Sequence, residues 1–155
     1  MTGRTPEYRL RILQQCAKEA RMHYDVLPSM PHSYAHQPQR AFVNGQEHGK
    51  YCLEHHLEGV IFALSDFISF GMLDIIGEHN VGGNNKLKSI SYDNLEGRAV
   101  HAGEPVLTSI THPLEQLASQ TVSLVDYIVS RKFKYGESNF IVRVPATELV
   151  IRSSA

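Results

Sequence analysis

The sequence predicts an α/β domain built on a mostly parallel sheet, and three observations support this. Segments of helical periodicity alternate with short apolar runs, in the rhythm helix, strand, helix, strand, helix. The run Gly59–Leu64 is continuously apolar, as a strand covered on both faces would be. Turn signals fall between the elements, notably Gly82-Gly83-Asn84-Asn85 and Asp93-Asn94. At 155 residues, with 42% apolar and 20% charged residues, the chain suits one soluble globular domain with a real core.

In order, a helix starts near Pro6, with Thr5 as N-cap and an apolar stripe of Leu10, Leu13, Ala17 and Ala20. Residues 28–39, with three prolines, predict a loop. A helix is expected from about Gln46 to His56. The strand at 59–64 precedes a helix from Asp66 to His79, patterned by Phe67, Phe70, Leu73 and Ile76. Alternation predicts a strand over 87–92 and extended chain over 106–110. Pro113 opens a long helix striped by Leu114, Leu117, Thr121, Leu124 and Ile128. Phe140–Val144 and Leu149–Ile151 are short β-rich runs.

Two features do not suit a complete α/β domain. Only five residues precede the first helix, where a strand should stand, and the long helix from Pro113 has few elements to cover its stripe. Both point to a larger domain of which this chain is a part.

Composition excludes several functions. The net charge of −1 and the lack of a basic cluster give no footprint for nucleic acid. No apolar run has the length of a membrane span, and the first twenty residues lack a secretory h-region. The expected location is the cytoplasm, with Cys16 and Cys52 reduced. His48, Cys52 and His56 share one helix face at i, i+4 and i+8, but two turns separate the outer pair; a metal site is not expected. No nucleophile elbow, P-loop or dinucleotide fingerprint occurs, so neither a catalytic residue nor a cofactor is expected.

Ligands of open α/β sheets bind outside the carboxyl ends of the strands. Asp66 follows one strand and Asp93 the next, and the first helix brings Arg9 and Arg11 to the same edge. Two acids and an arginine at one rim suit a polar, polyhydroxylated small molecule. The alternatives are an N-cap for Asp66, an Asx turn for Asp93-Asn94 and a solvated face for the arginines.

Four segments, ALSDFISFGMLDII, LKSISYDNLEG, PVLTSITHPLEQLASQTVSLVDYIV and TELVIRSSA, together resemble the last half of the LacI/GalR family of bacterial transcription regulators. TPEYRLRILQQCAKEA resembles, more weakly, the helix that opens the second lobe of the family's effector-binding domain; residues 30–58 match poorly. The resemblance implies a parallel-sheet, three-layer lobe of the periplasmic-binding-protein-like type I fold, apparently without the first lobe. Residues 113–131 would then form the helix that packs on the missing lobe. It further implies a cytoplasmic, non-enzymatic homodimer that senses a sugar-like effector and meets DNA only through a headpiece not in this chain. A transport system's sugar-binding protein and a truncated, non-binding fragment are the alternatives.

By the resemblance, Arg11 matches the family's effector-contacting arginine and Asp66 its effector-contacting aspartate. Asp93 matches the aspartate that closes the next strand, near the cleft and hinge. Phe42 is the candidate for the aromatic that stacks on a sugar ring. Ser65 replaces the usual Asn, Ser91 the usual Gly, and Gln14 a common Gly after the arginine, which leaves the effector's identity open.

Overall fold

The computed structural model describes residues 4–27, 38–77, 86–96, 104–130 and 147–155. The elements run α1 (Arg4–Glu19), α2 (Pro38–Glu54), β1 (Gly59–Phe62), α3 (Asp66–Ile76), β2 (Leu87–Asp93), β3 (Thr108–Thr111), α4 (Leu114–Ser130) and β4 (Glu148–Val150). The expected turn at 82–85 and strand at 140–144 lie outside the described residues. One sheet carries the strands in the order β1-β2-β3-β4. The first three are parallel, and β4 returns antiparallel to β3. The α/β sheet is as expected except for that reversed edge, which three residues of pairing at Thr111↔Glu148 to Ser109↔Val150 create.

Helix α2 begins eight residues before the sequence suggests. Pro38 opens it, a position where a proline's missing N–H costs nothing. Gly45 and Gly49 weaken the helical signal, yet both are buried. Their purpose lies across the interface: a Cβ on Gly45 would land on the Ile68 carbonyl, and one on Gly71 of α3 on the Phe42 carbonyl. The two helices therefore touch backbone to backbone, and this contact outweighs the poor local propensity.

Alternation along β2 buries Leu87, Ser89 and Ser91. That face meets α3, with the Ser69 and Ser89 hydroxyls 3.5 Å apart. The core between α3 and the sheet holds Phe70, Met72, Leu73, Ile76, Leu87 and Leu107, with Cys52 from α2. Burial of Cys52 pushes its thiol above the ordinary value, so it stays a packing group rather than a nucleophile. Phe42 packs against the same cluster. It therefore contributes to the core.

The last residues of the chain fasten β2 to β3 where the two strands part. Ser89 N–H donates to the Ser154 carbonyl at 2.7 Å, and Ser154 N–H to the Val106 carbonyl at 2.9 Å. The Ser154 hydroxyl donates to the Ser89 carbonyl at 2.8 Å and accepts from Thr108 N–H at 2.7 Å. Ser154 thus acts as a short extra rung, with its polar groups satisfied in a buried position.

Helix α4 stands apart. None of its residues is buried; Leu117, Val122, Val125 and Val129 are all exposed. Among the described residues no helix is long and apolar enough to cross a membrane, so this apolar surface is not a span.

Candidate functional site

The rim at the carboxyl ends of β1, β2 and β3 gathers the chemistry of the described residues. Ser65 is the N-cap of α3 in extended conformation, and its side chain makes no capping bond. Asp66, the first helical residue, does not cap the helix either. It is fully buried and its carboxylate reaches across the sheet. Oδ1 accepts from the Ser91 hydroxyl of β2 and from the Ser109 hydroxyl of β3, the latter at 2.7 Å. Oδ2 accepts from Leu95 N–H at 2.6 Å. The acid is a tie between two strands and the turn after β2. Three donors satisfy it, and none of its surface faces solvent.

Asp93 ends β2, with its side chain 27% exposed. Its Oδ1 lies 3.3 Å from Nε2 of His112, the first residue past β3. The His112 ring meets the edge of Tyr92 at 4.7 Å between centroids. Ser91 faces α3, so Tyr92 turns to the opposite side of the sheet, and there Arg9 of α1 lies over its ring. The guanidinium carbon is 4.0 Å from the ring centre, a cation–π distance. Nη1 of Arg9 also donates to the Leu64 carbonyl at 2.9 Å, just past β1. α1 therefore approaches the sheet from the face that α3 does not occupy.

Burial raises the Asp93 carboxyl above its ordinary 3.8, and the neighbouring Asp66 adds to the rise. Arg9 and the His112 contacts oppose it. The folded protein thus holds a proton on Asp93 more readily than the unfolded chain does. This contribution to stability is fully present below 3.8 and is lost as pH rises through the higher folded value. Denaturation by urea across that range should show Asp93→Asn gaining on the wild-type protein as pH rises. A constant difference would contradict the burial of this carboxyl.

Of the two acids and the arginine expected on one edge, the fold brings the two acids together. Asp66 and Asp93 do share the rim, one inside the structure and the other at its surface. Arg11 does not join them: it is exposed, with its guanidinium 5.3 Å from the Tyr8 ring of its own helix. Two residues along a helix turn the side chain by about 200°, so only one of Arg9 and Arg11 can face the sheet. Tyr92 and His112 were not among the expected site residues. Their signal was available in SYDN and THP, each at the end of a strand, but an aromatic or a histidine there has no fixed meaning until Arg9 is seen beside it. Among the described residues, no three His, Cys, Asp or Glu side chains are grouped to hold a metal ion.

The arrangement can recognise a polar ligand. Asp93 accepts from hydroxyls, Arg9 donates through a planar fork, and Tyr92 offers an apolar ring face beside them.

No family model matches the sequence, and no curated protein matches it. Solved structures do. A LacI family transcriptional regulator from Enterococcus faecium with bound ribose superposes with a TM-score of 0.63 at 18% identity, covering 91% of this chain and 48% of that one. The transcription regulator CcpA of Lactococcus lactis gives 0.61 at 19% identity, over 92% of this chain and 48% of its own. A LacI family regulator from Lactobacillus casei with bound sucrose gives 0.62 at 13% identity, over 97% and 51%. The chain spans about half the length of each. At these identities the likeness is one of fold: a mostly parallel α/β domain that accounts for half of a larger one.

Proposed function

We propose that these residues form the second lobe of the effector-binding domain of a LacI/GalR-type transcription regulator, with a sugar-like ligand held at the rim. The observation that carries this reading is the cluster of Arg9, Tyr92, Asp93 and His112 at the carboxyl ends of parallel strands. It occurs in a fold shared with regulators solved with ribose and with sucrose. Asp93 and Arg9 would take hydroxyls, Ser65 would add a third polar group at the same edge, and Tyr92 would meet the ring. Arg9 takes the part that the resemblance gives to Arg11, while Asp66 acts from beneath by holding the rim together.

The exposed stripe of α4 supports the remainder of the proposal. Leu114, Leu117 and their neighbours would be covered by a first lobe, and a ligand between the lobes would shift them only by binding one arrangement better than the other. DNA contact would belong to a headpiece outside these residues, in a cytoplasmic homodimer with no enzymatic step.

Calorimetry of the complete regulator against a panel of neutral sugars, ribose and sucrose included, tests the site. Removing one charged hydrogen-bond partner typically costs about 1.5–3 kcal/mol. Arg9→Ala and Asp93→Asn should therefore each weaken binding of the recognised sugar by about 10- to 150-fold. Arg11→Ala should leave it within about threefold, a difference below 1 kcal/mol. Unchanged affinity in both rim variants would defeat the assignment.

A further inference from the structure

We propose that Arg152, in the tail after β4, is a positioning residue that aims the Asp93 carboxylate at the rim by clamping Asn94. The inference rests on the reading of the rim given above, but its test needs no ligand, so the two fail separately.

Asp93 and Asn94 are consecutive non-glycine residues with φ of 116° and 52°. That region is disfavoured for side chains with a Cβ, and a pair of such residues persists only where the surroundings over-determine it. The surroundings do so here. Asn94 N–H donates to the Ser109 hydroxyl at 3.0 Å, and Leu95 N–H is taken by Asp66. Those two bonds hold the backbone of the turn. Among the described residues the Asn94 side chain is held by Arg152, Nη2 donating to its Oδ1 at 2.7 Å.

Arg152 is itself fixed at three further points. Nη1 donates to the Leu107 carbonyl at 2.5 Å. Its backbone N–H donates to the Thr108 hydroxyl at 2.8 Å, and its carbonyl accepts from the same hydroxyl at 3.1 Å. A planar fork with one prong on β3's lead-in and the other on the turn after β2 is a rigid gauge between the two strands. Without it, residues 93 and 94 can relax toward ordinary negative φ. The Asp93 carboxylate would then swing away from His112 and Arg9 into water.

Arg9, His112 and Asp66 are the charged groups nearest in effect to the Asp93 carboxyl. Loss of the Arg152 charge would by itself raise that carboxyl, whereas release of the turn into water lowers it, so the direction of the shift identifies a geometric effect. Burial is the largest influence on that carboxyl and outweighs the opposing pull of Arg9 and His112. Release into water must lower its titration.

The experiment is carbon-detected NMR titration of the Asp93 side-chain carboxyl in the wild-type protein and three variants. In the wild type the midpoint should lie above 3.8. In Arg152→Met, which keeps the apolar stem, it should fall toward 3.8. Asn94→Gly removes the clamped oxygen while suiting a positive φ, and it should move the midpoint the same way; it decides the matter if Arg152→Met does not fold. Thr108→Val loosens the tail but spares the fork, and should leave the midpoint in place. An unmoved Asp93 midpoint in the folded Arg152 or Asn94 variant overturns the proposal. An equal shift in Thr108→Val also overturns it, because the effect would then be general loosening.

Discussion

Replacing Asp66 with alanine is expected to destabilise the protein by about 3–5 kcal/mol, the range seen when one partner of a buried, charged network is removed. The carboxylate is fully buried and accepts from the Ser91 and Ser109 hydroxyls and from Leu95 N–H. Alanine leaves two buried hydroxyls and the partly buried Leu95 N–H facing a void. Domains of this kind have roughly 5–15 kcal/mol of total stability, so a loss of that size leaves a substantial unfolded fraction. Asp66→Asn keeps the volume but turns an amide NH2 toward groups that themselves donate; it should recover only part of the loss. Urea denaturation followed by circular dichroism measures both. A loss below about 1 kcal/mol for the alanine variant would mean that water or a neighbour replaces the carboxylate, contrary to a sealed site.

The second large effect is expected at Gly71. A Cβ there would strike the Phe42 carbonyl and come within 2.8 Å of the Gln46 nitrogen, both backbone atoms that no rotamer change can move. Overpacking typically costs about 1–3 kcal/mol. Gly71→Ala should reach about 3 kcal/mol or more, because helix α2 itself must shift. Gly49→Ala is the internal comparison. Its Cβ would sit 3.0 Å from the Ile75 Cβ and 3.1 Å from the Met72 carbonyl, a crowding that a small adjustment relieves. The gain in helix propensity, about 1 kcal/mol, offsets much of that cost. Thermal melts of the two variants should therefore differ widely, and equal melts would show that the helices are not in backbone contact.

These two residues also show what could and could not be read before the fold was known. A strand within 59–64, ending in the fold at Phe62, and the helix after it were legible from period and composition, as was the position of Asp66 at their joint. Its partners were not, since Ser91 and Ser109 lie 25 and 43 residues away and nothing local announces them. Both local readings of Asp66, cap and ligand contact, miss a carboxylate whose bonds all run across the sheet. Gly45 and Gly49 have low helix propensity, yet both sit within α2, where their lack of a side chain lets α3 approach. Arg9 and Arg11 were equally placed in the sequence, and only the rotation of α1 about its axis separates the one over Tyr92 from the one in solvent. The reversed direction of β4 was also beyond a reading of local pattern, because three residues of strand carry no mark of polarity.

The seam at Ser154 has a kinetic consequence. Its bonds to Ser89 and Thr108 join residues 65 and 46 positions apart, whereas α2 and α3 meet across a short span of chain. Long loops must close before such distant partners gain anything from meeting. Assembly is thereby expected to be ordered, with the helical pair formed early and the Ser154 bridge between the two central strands closed late.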